Sequence, residues 1–344
     1  MKIIIVLYGI QNMIKPEITA IITCYNSQKY IKTAIRSVQN QLFPDIEILV
    51  IDDGSIDNTH SIIKKLEKED KRIKIIKNKY NRGALYSKSI GILNAMGKYI
   101  MILDSDDLFA NENIFGICFK EASQYKIDII EFSGFNLNKN FFKIDKTPEV
   151  PYYLRFKIDN QTIRQPELSH FLYQKLEGNN FKLIDGVLWG KLVNTTIIKK
   201  TLNLLGSNIY EKKINYGDDR IINFILFKTA ESFKYIQEHG IIYNYNKQSI
   251  THINSYINNC HDELVNLKSI YNIIKNTNEI DIVSYEVIYR WDSILFIGLN
   301  PDNSKNLQIL INKLLINKYV CLEHKKKLQL ISYNISRIKK YVAS

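Results

Sequence analysis

Residues 103–107 read LDSDD, so Asp104, Asp106 and Asp107 place three carboxylates within four positions just after the apolar run YIMIL. Like charges this close repel one another and raise the pKa of at least one member, so something positive should compensate. Hard oxygen ligands suit Mg²⁺ or Mn²⁺, ions that usually take one or two carboxylates together with phosphate oxygens. A divalent cation bridging to a diphosphate is therefore the economical chemistry, and a solvated loop capping the next helix is the plain alternative. An EF-hand does not fit: counted from Asp104, the sixth position is Phe109 rather than Gly and the twelfth is Phe115 rather than Glu.

Two further acidic stretches stand out. DDGS carries Asp52 and Asp53, and GDDR carries Asp218 and Asp219. Asp-Asp-Gly-Ser is also an ordinary turn sequence, so Asp52 could simply cap a turn; Asp218 could be a helix-start charge. The two best-known phosphate devices are missing: the turn TCYNS contains no glycine, and GxxxxGK[ST] does not occur. Dehydrogenase and P-loop readings fall with them.

These residues are carried by a repeating unit. ITAIIT (18–23) is followed after Asn26 and Ser27 by Ile31, Ala34, Ile35 and Val38 at the spacing of one helix face. IEILVI (46–51) leads into a helix carrying Ile62, Ile63 and Leu66, with Asp57 or Asn58 as N-cap. IKIIK (73–77) precedes a helix ending near Ala95, YIMIL (99–103) precedes one through Ile114, Cys118 and Ala122, and IDIIEF (127–132) is a fifth strand. Apolar strands alternating with amphipathic helices predict right-handed crossovers and a mostly parallel α/β sheet covered on both faces. Ligands of such sheets bind beyond the carboxyl ends of the strands, where Thr23, Tyr25, Asn26, Asp52, Asp53 and the Asp104–Asp107 turn should meet. Residues 136–185 are irregular, and helical periodicity dominates after about 255.

The blocks TAIITCYNSQKYIKTAIRSVQNQ, IEILVIDDGSIDNT and NRGALYSKSIGILNAMGKYIMILDSDD together resemble the family 2 glycosyltransferases of the GT-A fold over nearly all of residues 18–110. VLWGKL (187–192), GDDR (217–220) and QSIT (248–251) look like later blocks of that family. The resemblance implies an inverting, metal-dependent transfer from a nucleotide sugar, a UDP-sugar first, to a hydroxyl of a glycan, lipid-linked or protein acceptor. It assigns Thr23, Tyr25, Asp53, Lys88, Asp104 and Ser105 to the nucleotide sugar, Asp106 with Asp104 to Mn²⁺ or Mg²⁺, and Asp219 to the general base. Two positions depart from the pattern: Ser89 stands where Asn is usual, and Asp218 where Glu is usual. Trp189 could stack on a sugar or belong to the core, Lys191 could lie near the diphosphate or be salt-bridged, and Ser249, Thr251 and His252 are candidate diphosphate contacts. Arg82 and Arg220 are candidate charge partners.

The implied division is a leader at 1–17, a GT-A domain at 18–255 with a nucleotide half to 110, and a helical region at 256–344. The segment MKIIIVLYGIQNMIK has an apolar run of roughly eight residues, too short to span a bilayer, and lacks a small-residue cleavage site; Met13 is a possible alternative start. Cys24, Cys118, Cys260 and Cys321 lie far apart with no CxxC pair, which fits a reducing, cytoplasmic setting better than a zinc site or a disulfide framework. Of the net charge of +12, +6 falls between Lys318 and Ser344. That final helix, with Leu328, Ile331, Ile335 and Ile338, could lie on an anionic membrane surface or pack with a solvated basic face. Basic and aromatic residues form no recognisable nucleic-acid module, so no nucleic-acid partner is expected. A nucleotidyltransferase, which usually has a Gly-rich first turn, and a degenerate glycosyltransferase-like binding protein are the rival readings.

Overall fold

The computed structural model describes residues 15–137, 144–149, 161–165, 173–175, 181–183, 187–244, 256–276, 283, 287, 301–318, 320 and 322–343. The chain forms two compact units. One comprises residues up to 164 with 188–200 and 230–245; the other takes 165–187, 201–229 and 246 onward.

The first unit opens with the expected alternation. Strands β1 (Ile18–Cys24), β2 (Ile46–Asp52), β3 (Ile73–Lys77) and β4 (Tyr99–Asp104) are separated by helices α1 (Ile31–Gln39), α2 (Thr59–Glu69) and α3 (Ala84–Asn94). Every residue of β1 and β2 is buried, as strands covered on both faces require. Helix α1 buries Ile31, Ala34, Ile35 and Val38, the stripe its spacing dictates. Each such fully buried aliphatic side chain contributes on the order of 2 kcal/mol of transfer free energy.

The strands line up in the order β3-β2-β1-β4, all parallel. Because β2 and β3 lie on one side of β1 and β4 on the other, the order reverses between β1 and β4. That reversal opens a crevice at the strands' carboxyl ends.

Beyond β4 the sheet becomes mixed. β5 (Leu108–Phe109) is followed by α4 (Ile114–Tyr125), β6 (Ile129–Leu137), β7 (Ile144–Glu149) and β8 (Thr162–Arg164). β9 (Tyr173–Lys175) and β10 (Phe181–Leu183) form a separate antiparallel pair. β11 (Lys191–Asn194) pairs antiparallel with both β4 and β6, and β12 (Ser232–Asn244) runs parallel to β6. The 136–185 region thus contains short strands as well as loops, which its irregular sequence did not signal. Between β11 and β12 lie α5 (Thr195–Leu205) and α6 (Asp218–Thr229).

At the amino ends of the strands the polar groups consume one another. Thr19 and Glu47 are register partners across β1 and β2, and Thr19 Oγ1 donates to Glu47 Oε2 at 2.6 Å. The same Glu47 oxygen accepts from Met96 N at 3.0 Å, and Thr19 Oγ1 accepts from Gly97 N at 2.8 Å.

The second unit contains α6 with α7 (Tyr256–Ile274), α8 (Pro301–Ile316) and α9 (Leu322–Ala343). Leu328, Ile331 and Ile335 are all buried, so this apolar stripe of the basic last helix is packed inside protein and not offered to a bilayer. The side chain of Ile338 lies outside the described residues. Among the described residues no helix is long and apolar enough to cross a membrane.

Candidate active site

The register of the parallel strands delivers the acidic groups together. Thr23 of β1 is the ladder partner of Asp104 of β4, and Cys24 is the partner of Asp52 of β2. Three strand ends therefore finish at one level beside the switch point. Thr23 Oγ1 lies 3.5 Å from Asp104 Oδ1, and the Lys88 ammonium, buried on α3, lies 3.5 Å from the same oxygen. Lys88 thus offsets the charge of Asp104 from below. Ser89 beside it is fully buried.

The strand ends at Asp104 and the chain turns at once, with Asp107 N–H donating to Asp104 O at 3.1 Å. Asp104 and Asp106 are half-buried, whereas Ser105 and Asp107 are buried. Ser105 Oγ lies 2.7 Å from Ser27 Oγ, which ties the acidic turn to the turn after β1. Asp107 Oδ1 accepts from Asn244 N at 2.9 Å, and burial, then the charges of Asp104 and Asp106, push its carboxyl well above the usual range. Asp104 and Asp106 are the two of the three that remain partly exposed. Half-buried carboxylates are oxygen donors of the kind that Mg²⁺ and Mn²⁺ accept. Among the described residues no three His, Cys, Asp or Glu side chains form a metal cluster by themselves.

Asp53 has more partners than the sequence revealed. Its Oδ1 accepts from Asn78 Nδ2 at 2.7 Å and Arg82 N at 2.9 Å, and its Oδ2 from Gly83 N at 2.8 Å. Three of roughly four acceptor positions on the carboxylate are occupied, so its first task is to hold the loop between β3 and α3 against the end of β2. Asn78 went unnoticed in the sequence, although its place directly after β3 is where a site residue belongs. Asp52 is fully buried; its Oδ1 accepts from Ser55 N at 2.9 Å, the turn-capping role, and its Oδ2 lies 2.9 Å from His60 Nδ1. Gly54 has φ +74, and a Cβ there would stand 2.6 Å from the Tyr80 carbonyl carbon, so only glycine lets the two loops meet.

The turn after β1 is stitched to the turn after β2. Asn26, at φ 48, donates its N–H to Ser55 Oγ at 3.0 Å and accepts from Ile56 N at 3.0 Å, while Ser27 N donates to Thr59 Oγ1 at 2.7 Å. Tyr25 projects from this turn and is 44% exposed. Arg82 stacks over the Tyr86 ring at 4.0 Å. The thiols of Cys24 and Cys118 are buried, and burial pushes both up, which removes them as nucleophiles.

Lys191 faces an internal carboxylate: its Nζ lies 3.2 Å from Glu131 Oε1 between β11 and β6, both side chains buried. Trp189 is partly buried against the core and lies roughly parallel to Tyr243, with ring centroids 6.3 Å apart. Asp218 and Asp219 begin α6 in the second unit, where Asp218 is buried. Neighbouring Arg220 donates to Glu263 Oε2 at 2.7 Å. Ser249, Thr251 and His252 lie outside the described residues.

The chain is similar to known proteins in sequence and in fold. The sequence profile described as glycosyl transferase family 2 matches residues 19–190. The uncharacterized glycosyltransferase EpsJ of Bacillus subtilis is 29% identical over 238 residues, 69% of this chain and 64% of the relative. The GalNAc(5)-diNAcBac-PP-undecaprenol beta-1,3-glucosyltransferase of Campylobacter jejuni is 37% identical over 142 residues, 36% of this chain and 45% of the relative. The match spans less than two thirds of either relative's own length. The crystal structure of S. aureus TarS 1-349 in complex with UDP-GlcNAc superposes with a TM-score of 0.65 over 94% of this chain and 90% of that one, at 15% identity, which shows a shared fold. With the α/β GT-A architecture found and half of its length matched by the profile, the chain belongs to glycosyl transferase family 2.

Proposed function

We propose that this chain transfers a sugar from a nucleotide diphosphate sugar, a UDP-sugar first, to an acceptor hydroxyl with inversion at the anomeric carbon. The observation that carries the reading is the register that brings Thr23, Asp104 and the Asp52–Asp53 turn to one level at the switch point. Asp104 and Asp106 are the residues to hold a divalent cation, whose positive charge would stabilise the departing diphosphate. Thr23, Tyr25 and the remaining acceptor position of Asp53 take the nucleoside, with Ser105 and Lys88 holding Asp104 in place. In a single displacement the acceptor oxygen bonds to the anomeric carbon as the bond to the diphosphate oxygen breaks. Asp219 takes the acceptor's proton, and the leaving diphosphate carries away the electron pair. No enzyme nucleophile is needed.

Two similarities guide the choice of ligands. A protein of the same fold binds UDP-GlcNAc, so uridine nucleotides come first. The Campylobacter relative is named for a diphosphate-undecaprenol-linked glycan, so a lipid-linked oligosaccharide is the first acceptor class to try. A thermal-shift screen of nucleotide sugars, run with Mn²⁺ and with chelator, tests donor and metal together, because a ligand that binds only the native state raises Tm. UDP and at least one UDP-sugar should raise Tm with Mn²⁺ and not with chelator. Release of pyrophosphate in place of UDP would transfer the chain to the nucleotidyltransferases.

A further inference from the structure

We propose that helix α7, the first of the C-terminal helices, positions the loop that carries Asp219, with Asp262, Glu263 and Asn266 as the positioning residues; this rests on Asp219 being the general base. Asp262 Oδ2 accepts from Asn215 N at 2.8 Å and Tyr216 N at 3.1 Å. One turn further along the same helix, Asn266 Nδ2 donates to Tyr216 O at 3.1 Å and Gly217 O at 3.1 Å. Both carboxylate oxygens of Glu263 accept from Arg220, the residue directly after Asp219, at 2.5 and 2.7 Å. Loop backbone on one side of Asp219 and the guanidinium on the other are thus fixed to a single helix.

Burial gives these bonds their weight. Asp262, Glu263, Asn266, Arg220 and Asp218 are all buried, and a buried side chain that loses its hydrogen-bond partner is left unsatisfied. Gly217 adopts φ +70, and a Cβ there would lie 2.7 Å from Asn266 Nδ2, so the loop is drawn down until it touches the helix. Residues 46 to 50 positions apart meet in this way with no shared sequence motif. A base must sit within about 3 Å of the proton it takes, and a misplacement of about 1 Å can cost on the order of 100-fold in rate. A tether of this kind is what such tolerance demands.

The test uses the full chain and three variants, Asp262→Asn, Asp262→Ala and Asn266→Asp, with Asp219→Asn alongside. Amide hydrogen exchange over residues 213–221 reads the tether directly, and UDP release from pooled UDP-glucose, UDP-galactose and UDP-GlcNAc with Mn²⁺ reads turnover. Asp262→Ala and Asn266→Asp should raise exchange in that segment about tenfold or more and lower kcat about tenfold or more, with KM and exchange over β1–β4 unchanged. Asp262→Asn keeps an acceptor oxygen and should recover most of both. Wild-type exchange in the two disruptive variants overturns the inference, as does faster exchange with wild-type kcat while Asp219→Asn is inactive; the latter leaves the base assignment standing. Full turnover in Asp219→Asn overturns the base assignment and this inference with it. If Asp262→Ala does not fold, Asn266→Asp and Asp262→Asn decide by the same two readings.

Discussion

The two ends of the parallel strands use similar residues to opposite effect. At the amino ends, Thr19 and Glu47 bond to each other and to the N–H groups of Met96 and Gly97, and both side chains are buried. At the carboxyl ends, Asp104 and Asp106 stay half-buried, with Lys88 beneath Asp104 as an internal counter-charge. A carboxylate whose acceptor positions are taken by the fold contributes to stability. One kept partly exposed at a strand end is placed where the proposed function needs it, at a cost in electrostatic repulsion.

The comparison breaks most visibly at Asp106. Asp106→Ala should lower turnover by about 100-fold or more and abolish Mn²⁺-dependent UDP binding in calorimetry, while Tm holds or rises as the repulsion with Asp104 and Asp107 is relieved. A fall in Tm with activity retained would assign Asp106 to the structural end of the contrast. Asp53 sharpens the division because it belongs to both classes. Asp53→Asn should weaken UDP binding, and should also lower stability by about 1–3 kcal/mol in chemical denaturation, since its bonds to Asn78, Arg82 and Gly83 lose their charge. Thr19→Val acts at the other end: it leaves Gly97 N–H without an acceptor and should cost about 1–3 kcal/mol of stability with turnover per folded molecule unchanged.

The smallest effect concerns the middle of the sheet. Burial pushes the Glu131 carboxyl up to about 7 from its ordinary 4.5, against the pull of Lys191. The folded chain therefore holds a proton between about pH 4.5 and 7 that the unfolded chain has released, and this group's contribution to stability falls as pH rises through that window, then levels. Glu131→Gln should flatten the dependence of Tm on pH between 5 and 7 relative to wild type. An identical slope in the two proteins would leave Glu131 ionised throughout.

The first four strands were legible to within a residue because β1, β2 and β4 are largely apolar runs, β3 is an isoleucine-rich one, and each ends at a polar turn. The acidic turn was legible as a cluster, but which of its carboxylates is buried was not, because that is decided by the turn and by its partners. What escaped notice depends on partners brought in by later strands. β11 and β12 join β6 in a mixed arrangement that no run of apolar residues announces, and Asp107 looked like its neighbours until Asn244 claimed it. Asn78 hid for a different reason: one Asn after a short strand is common, and only its distance to Asp53 distinguishes it. The tether from α7 to the 215–220 loop joins helix-face residues to loop backbone, a pairing with no periodic trace.

The bond from Asn244 N–H to Asp107 spans 137 positions of sequence. During synthesis, residues 18–110 leave the ribosome carrying every strand-end ligand assigned to the donor, yet the turn bearing Asp104 and Asp106 gains this fastening only after the chain has grown to the end of β12. A nascent chain stalled before that point would display the acidic turn held by Ser27 and not yet by Asn244, and a ligand added then would meet carboxylates still free to rearrange.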